Sequence, residues 1–139
     1  MHSDLAIVIP SKKECQNLEF IIPNLQKYSS EIIIVDSDTN DGTKELCERL
    51  NVKYIKDNNK GKGDAQRIGA KICKKKYIIF FDSDGSHDEN DIPKLYEKII
   101  KNDIDLVICS RKTGGSYDLT ANVSIMGFIR AMGTDFLSL

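Results

Sequence analysis

Two carboxylates that directly follow an apolar run are the residues of this 139-residue chain best suited to chemistry. Asp82 and Asp84 come after residues 77–81, whose apolar and aromatic side chains predict a buried strand. Because carboxylates are costly to bury, we expect both in a surface crevice at the end of that strand. There they could bind a hard divalent cation such as Mg²⁺ together with substrate phosphates, although the same residue types are equally typical of a solvated turn.

The composition is that of one globular domain with a core of its own. Lys and Arg total 20 and Asp and Glu total 21, and this net charge of −1 argues against nucleic acid as a partner. The 4 cysteines are too widely spaced for a zinc site or a secretory disulfide framework. The first residues show no signal-peptide pattern, so we expect a cytoplasmic protein.

Strand and helix patterns alternate along the chain. Strands are predicted over residues 5–9, 31–35, 52–55, 77–81 and 105–109. Repeated β-α-β units of this kind imply an α/β fold with a mainly parallel, doubly wound sheet and helices on both faces. In such a sheet, ligands bind beyond the carboxyl ends of the strands, where polar loops are expected to converge. Those loops are 10–14, 36–42, 82–88 and 110–115.

Two other polar segments match no known ion or nucleotide loop. The segment from Asp36 to Gly42 lacks the glycine and glutamate positions of an EF-hand calcium loop. The run Gly61-Lys62-Gly63 matches neither a Walker A loop nor a dinucleotide fingerprint. We expect residues 57–63 to form a cationic loop that either contacts a pyrophosphate or is an ordinary surface loop.

The end of the chain mixes apolar and charged residues. Met126, Ile129 and Phe136 recur at helical spacing with Arg130 beside them, and the segment is too interrupted by charge to span a membrane. The pattern over residues 120–139 predicts an amphipathic helix that lies on a membrane surface or packs in a core. We divide the chain into an α/β domain, 1–115, and the start of a further region, 116–139, and expect it to be part of a longer protein.

Five motifs occur in an order that resembles one enzyme family. They are Val8–Glu14 (Val-Ile-Pro-Ser-Lys-Lys-Glu), Ile34–Thr43, Asn59–Gly63, Phe81–His87 with Asp91–Pro93 downstream, and Ser110-Arg111. Together they are similar to the motifs of the family 2 glycosyltransferases, which have the GT-A fold. The resemblance is greatest to the branch that contains dolichol-phosphate mannose synthase and the polyprenyl-phosphate glycosyltransferases, and it covers residues 5 to about 112.

This resemblance implies a nucleotide-sugar-binding α/β domain of a hexosyltransferase that inverts the sugar configuration. The donor would be GDP-mannose or a UDP-sugar, the cofactor Mg²⁺ or Mn²⁺, and the acceptor a polyprenyl or dolichyl phosphate at the cytoplasmic face of a membrane. Asp82 and Asp84 would hold the metal, and Asp84 and Arg111 would be catalytic. The residues that would bind the nucleotide-sugar are Pro10, Glu14, Asp36, Lys62, Asp82 and Asp84, with Lys62 and Arg111 facing phosphates.

The chain departs from the family pattern at several positions. The family's Tyr-Asn before Glu14 is Lys12-Lys13 here, its second nucleotide-loop Asp is Ser37, and its Gln near the metal is Ser86. A polybasic stretch before the acceptor helix is also missing. A soluble or polysaccharide acceptor and a non-catalytic nucleotide-sugar-binding domain therefore stay open as alternatives. A phospho-receiver domain is disfavoured, because an acidic pair would be expected after the first strand.

Overall fold

Strands and helices alternate through the part of the chain that a computed structural model describes, which is residues 1–37, 40–102 and 104–108 and the backbone of residues 127–130. The strands are β1 (Leu5–Ser11), β2 (Glu31–Asp36), β3 (Lys53–Lys56), β4 (Tyr77–Phe80), β5 (Leu106–Ile108) and β6 (Gly127–Arg130). The helices are α1 (Cys15–Leu25), α2 (Thr43–Arg49), α3 (Lys62–Ile72) and α4 (Ile92–Lys101). None of the helices in these ranges combines the length and the apolar character needed to cross a bilayer.

The strands form one sheet in the order β3-β2-β1-β4-β6-β5. β1 pairs in parallel with β2 and with β4, and β2 pairs in parallel with β3. Only β6 runs the other way, antiparallel to both β4 and β5. The predicted mainly parallel sheet is confirmed. Since the chain leaves β1 in one direction toward β3 and later returns to β4 on the other side, a crevice is expected at the carboxyl end of β1.

Alternate side chains of the central strands are buried in two apolar layers, one on each face of the sheet. Ile7 and Ile9 of β1 belong to the layer that also contains buried residues of α1, α2 and α4. Val8 points to the opposite layer, where Ala65 of α3 packs. The prediction of helices on both faces is therefore confirmed. Burial of both faces also explains why the central strands are apolar along their whole length.

Helix α3 lies very close to the sheet at Gly69. A Cβ atom at this position would be 2.3 Å from Val8 Cγ1 and 3.2 Å from Val35 Cγ2. Side-chain atoms do not approach each other to the shorter of these distances, so a residue without a Cβ is needed for α3 to pack here.

The start of α3 differs from the prediction that residues 57–63 form a loop. The loop ends at Gly61, whose φ of 98° lies in a region that residues with a Cβ rarely adopt. The helix begins at the next residue, Lys62. Lys62 is thus held at the first turn of a helix, where its backbone position is better defined than in a surface loop.

The prediction of a helix over residues 120–139 is wrong for residues 127–130. These residues form β6, in which Ile129 is the register partner of Ile78 on one side and of Leu106 on the other. A short apolar run is compatible with a helix or a strand, and here pairing with two distant strands determines the outcome. The remaining residues of the predicted helix, and the boundary at residue 115, lie outside the described residues, so that boundary stays a prediction.

Candidate functional site

A cavity of about 380 Å³ opens at the carboxyl end of the parallel strands. Its lining comes from four segments, which are residues within 10–14, Ser37, residues within 57–65 and residues 82–84. Its volume is typical of a small-molecule site. Three of the loops that were expected to converge thus do so in their described parts, and the segment after β3 joins them. The fourth expected loop, 110–115, lies outside the described residues.

Hydrogen bonds join the ends of neighbouring strands next to the cavity. The hydroxyl of Ser83 donates to the carbonyl of Pro10 at 3.1 Å. The backbone N–H of Ser37 donates to the carbonyl of Ser11, also at 3.1 Å. The Ser37 contact continues the β1–β2 pairing one residue past β2, and the Ser83 contact joins the segment after β4 to β1, so the polar residues that follow these strands are held close together.

Asp82 is a buried carboxylate with cationic and imidazole neighbours. Its side chain is 7% exposed, and its Oδ1 lies 2.5 Å from Lys62 Nζ. Its backbone N–H donates to His87 Nδ1 at 3.0 Å, and His87 Nε2 lies 3.6 Å from Asp82 Oδ2. A buried charge is stable only when it is paired and hydrogen-bonded, and these neighbours meet that condition. His87 therefore fixes the turn that carries both carboxylates, a role the sequence analysis did not assign.

Asp84 lies on the solvent side of the same turn. Its Oδ1 accepts a hydrogen bond from the Ser86 N–H at 2.9 Å. Partial burial raises the pKa of its carboxyl, but hydrogen bonds from Ser86 and the nearby His87 and Lys62 outweigh that effect and hold the pKa below its ordinary value. Asp84 is consequently ionised at neutral pH and open to the cavity.

The two carboxylates have the chemistry of a partial metal site. In the described ranges no group of three or more His, Cys, Asp or Glu side chains is arranged to hold a metal ion. Asp82 and Asp84 both line the cavity, and the ammonium group on Asp82 shows that this carboxylate already attracts a cation. Mg²⁺ commonly takes one or two carboxylates and completes its shell with phosphate oxygens and water. The pair therefore fits a hard divalent ion that is shared with a bound phosphate.

A second buried carboxylate lines the cavity, Asp57, which follows β3 and is thus three strands away from the end of β4. Its Oδ2 accepts from the Ser37 hydroxyl at 3.1 Å, and its Oδ1 accepts from the Asn59 N–H at 2.8 Å. Its own N–H donates to the carbonyl of Asp36 at 2.9 Å, which holds it at the end of β3. The sequence analysis missed Asp57, although its position directly after a strand of a parallel sheet was a usable signal.

Asp36 was expected to line the nucleotide pocket. It is the last residue of β2 and only 1% exposed, and its Oδ2 lies 3.3 Å from the Tyr54 hydroxyl that donates to it. It is absent from the cavity lining. The structure shows its carboxylate in contact with Tyr54, and contact with a nucleotide stays a prediction.

The remaining predicted residues lie in different parts of the site. Pro10 and Glu14 line the cavity, and Glu14 Oε2 accepts from Asn17 Nδ2 at 2.6 Å. Lys62 lines it too, but its ammonium group contacts Asp82. Arg111 lies outside the described residues. Of the predicted set, the described structure brings Pro10, Glu14, Lys62, Asp82 and Asp84 together.

Asp41 supports the site from outside the cavity. Its carboxylate accepts from the Cys15 N–H at 3.2 Å and from the N–H and hydroxyl of Thr43 at 3.1 and 2.7 Å. It thereby joins the first residue of α1 to the first residue of α2 and fixes one end of the cavity segment 10–14. The sequence analysis had assigned Asp41 no role.

A comparison with protein families shows which family the chain belongs to. Residues 6–132 match the model of glycosyl transferase family 2. The chain belongs to this family. The GT-A-like α/β fold and the family predicted from the five motifs are therefore confirmed.

Several relatives have named activities, of which two are described here. The dolichol-phosphate mannosyltransferase of Pyrococcus furiosus is 33% identical over 120 residues, which cover 80% of this chain and 34% of the relative. The dolichyl-phosphate beta-glucosyltransferase of Dictyostelium discoideum is 33% identical over 118 residues, which cover 77% of this chain and 36% of the relative. The chain thus spans about a third of the length of these two relatives.

Solved structures share the fold. Glucosyl-3-phosphoglycerate synthase from Mycobacterium tuberculosis, in complex with Mn²⁺, UDP-glucose and phosphoglyceric acid, has a TM-score of 0.74 to this chain at 17% identity. The match covers 93% of this chain and 57% of that one. At this level of identity the likeness concerns the fold alone.

Proposed function

We propose that the chain forms the donor-binding part of a metal-dependent glycosyltransferase, which moves a hexose from a nucleotide-sugar to an acceptor. The observation that carries the proposal is the pair Asp82 and Asp84 on the wall of the cavity, beside Lys62, in a member of glycosyl transferase family 2. Carboxylates, a cation and a crevice at the carboxyl ends of parallel strands suit a sugar diphosphate.

The diphosphate would lie at the β4 end of the cavity. Asp82 and Asp84 would hold Mg²⁺ or Mn²⁺, which when bound offsets the negative charge that develops on the departing nucleoside diphosphate. The side chain of Lys62 is half exposed, so its ammonium group can contact a phosphate oxygen placed beside Asp82. Arg111 is proposed for the same phosphates from the sequence motif alone.

The nucleoside would occupy the rest of the cavity. Pro10 and Glu14 form its wall along the end of β1 and the loop that follows. Asp36 is proposed to contact the nucleoside from the sequence motif alone. The Lys12 side chain also lines the cavity, where the family has an aromatic residue, and it adds a second cation to the donor site.

For the acceptor we propose a polyprenyl or dolichyl phosphate, which the names of the two relatives support. Its phosphate oxygen is already anionic and needs no general base. The oxygen would form a bond to C1 of the sugar while the bond from C1 to the donor phosphate breaks, and the nucleoside diphosphate would leave with the electron pair. One displacement of this kind inverts the configuration at C1. The enzyme would act at the cytoplasmic face of a membrane.

Calorimetry and a transfer assay test this proposal. The protein is titrated with GDP and with UDP in the presence of Mg²⁺, Mn²⁺ or EDTA, and is then incubated with GDP-mannose or UDP-glucose and dolichyl phosphate. We expect metal-dependent binding and a glycosylated lipid. Binding without transfer would support a non-catalytic nucleotide-sugar-binding domain, and transfer only to soluble sugars would refute the lipid acceptor. No binding of either nucleotide would refute the proposed function.

A further inference from the structure

We propose that Asp57 binds the nucleobase of the donor and makes the site selective for guanine over uracil. This inference rests on the proposed function, because it assumes that a nucleoside diphosphate occupies the cavity. It goes further by assigning the base to a residue that belongs to none of the family motifs found in the sequence, and by choosing between the two donor classes that the sequence left open.

The order of the strands places Asp57 at the correct distance from the diphosphate. The carboxylates proposed for the metal follow β4, and Asp57 follows β3, three strand intervals away in the order β3-β2-β1-β4. That separation is about 14 Å. A nucleoside diphosphate in an extended conformation has about this length. If its phosphates lie beside Asp82, the far edge of its base lies beside Asp57.

Asp57 is a buried carboxylate that lacks a cationic partner in the described part of the chain. It is 9% exposed and lines the cavity. The groups that donate to it are the hydroxyl of Ser37 and the N–H of Asn59, one to each oxygen. A carboxylate has about four acceptor positions, so each oxygen retains capacity for one further donor. Burial of a charge is costly without compensation, and donors on a bound base would supply it.

Guanine matches this carboxylate better than the other common bases do. The Watson–Crick edge of guanine carries two adjacent donors, N1–H and the N2 amino group, and the two oxygens of a carboxylate can accept both. Uracil offers one donor, N3–H, between two carbonyl oxygens that a second carboxylate oxygen would repel. Cytosine and adenine each place a bare ring nitrogen next to their amino group. Hydrogen bonds that a carboxylate accepts are also stronger than hydrogen bonds between neutral groups.

Two serines complete the polar end of the cavity. Ser37 lies between the carbonyl of Ser11, 3.4 Å from its hydroxyl, and Asp57, so this hydroxyl can still accept a hydrogen bond. Ser11 Oγ is buried and has no hydrogen-bond partner among the described residues. Ser11 and Ser37 both line the cavity. These hydroxyls provide partners for further polar atoms of the base or ribose, whereas Asp57 supplies the selectivity.

The test is a change of specificity in Asp57→Asn. Asparagine keeps an oxygen for the Asn59 N–H, and its amide can donate to the Ser37 hydroxyl, so the local structure is retained. The asparagine amide carries a donor next to an acceptor, which matches N3–H and a carbonyl oxygen of uracil and not the two adjacent donors of guanine. With Mg²⁺ present, we expect the wild type to bind GDP at least about tenfold more tightly than UDP, and Asp57→Asn to lose that preference or reverse it. Asp91→Asn, a surface substitution at the start of α4, serves as the matched control.

A measurement on the wild type tests guanine selectivity without any substitution, so its result does not depend on the folding of a variant. Inosine diphosphate differs from GDP only by the missing N2 amino group, and we expect it to bind at least about tenfold more weakly than GDP. If GDP and inosine diphosphate bind equally, or if UDP binds as tightly as GDP, Asp57 does not select guanine, and the proposed function stands. If none of the three nucleotides binds, the proposed function itself fails.

Discussion

Asp82 and Asp84 are two positions apart, yet the fold gives them different tasks. Asp82 is buried and engaged by Lys62 and by the turn that His87 closes, so its replacement would disturb the local structure. Asp84 is exposed, and among the described residues its side chain accepts a hydrogen bond only from within its own turn. Asp84 is therefore the position at which metal binding can be tested without damage to the fold.

We predict that Asp84→Asn weakens metal-dependent binding of a nucleoside diphosphate by at least about tenfold, roughly 1.4 kcal/mol. The physical reason is the loss of one anionic oxygen ligand from the shell of the ion. Calorimetry with Mg²⁺ and with EDTA measures the effect, and the melting temperature should not change. Asp88→Asn, in the same exposed loop but outside the cavity, is the control. Equal affinities for wild type and Asp84→Asn in Mg²⁺ would contradict a metal at this position.

Lys13 occupies an unfavourable backbone conformation beside the site. Its φ is 59°, in the left-handed region where Asn is accepted far more readily than Lys. The family motif has Asn at this position. We predict that Lys13→Asn raises the free energy of unfolding by roughly 0.5 kcal/mol, measured by urea denaturation. Lys12→Asn is the control, since Lys12 has no positive φ, and an equal gain in both variants would show that charge and not backbone conformation is responsible.

At the scale of the helices, Asp41 connects the starts of α1 and α2 and makes their attachment sensitive to acid. Burial raises the pKa of its carboxyl, but hydrogen bonds from Thr43 and Cys15 outweigh this and lower the pKa below its ordinary value of 3.8. The folded state thus favours the ionised form more than the unfolded state does. The contribution to stability is complete above the unfolded pKa and is lost as the pH falls through the folded pKa.

We predict that Asp41→Asn destabilises the protein at about pH 7 and that the difference from wild type shrinks at about pH 3. Urea denaturation at both values measures this, with Asp91→Asn as a control that removes no hydrogen bond between helices. A difference that is the same at both pH values would show that the hydrogen bonds of Asp41 do not depend on its charge.

The close packing of α3 on the sheet gives a second prediction for the elements. Gly69→Ala places a Cβ 2.3 Å from Val8 Cγ1, and we expect it to lower the free energy of unfolding by about 1–3 kcal/mol. Gly63→Ala lies in the same helix, where a Cβ would meet nothing within 4 Å. Because Ala is a better helix former than Gly, this control should be neutral or stabilise by up to about 1 kcal/mol. If both variants were stabilised, α3 could not be packed as closely as described.

At the scale of the whole molecule, the features that follow from local pattern and from the order of the elements were predicted, and those that depend on particular contacts in three dimensions were not. The run before Asp82 is apolar along its whole length, and that pattern alone indicates a strand buried on both faces. Parallel strands share one carboxyl edge, so the meeting of Pro10, Glu14 and Asp82 also followed from the order of the elements. The motifs then identified the family.

The missed features depend on particular contacts in three dimensions, most of them between segments that are far apart in the sequence. The role of His87 depends on a ring nitrogen that accepts from the backbone of the turn before it, and no residue pattern specifies that geometry. Asp57 resembled an ordinary turn residue until the ends of β2 and β3 were placed side by side. The strand at residues 127–130 was missed because its partners, β4 and β5, lie well before it in the chain.

The insertion of β6 between β4 and β5 has a consequence for biosynthesis. In the described structure β5 has no sheet neighbour other than β6, and β6 also covers the edge of β4. A nascent chain that has emerged only as far as β5 therefore exposes an apolar, unpaired strand edge, which is the kind of surface at which chains aggregate. The sheet closes only after the later segment arrives, and such long-range pairing is slow. The side of the sheet that carries β4 is thus the part of the molecule most in need of protection by chaperones during synthesis.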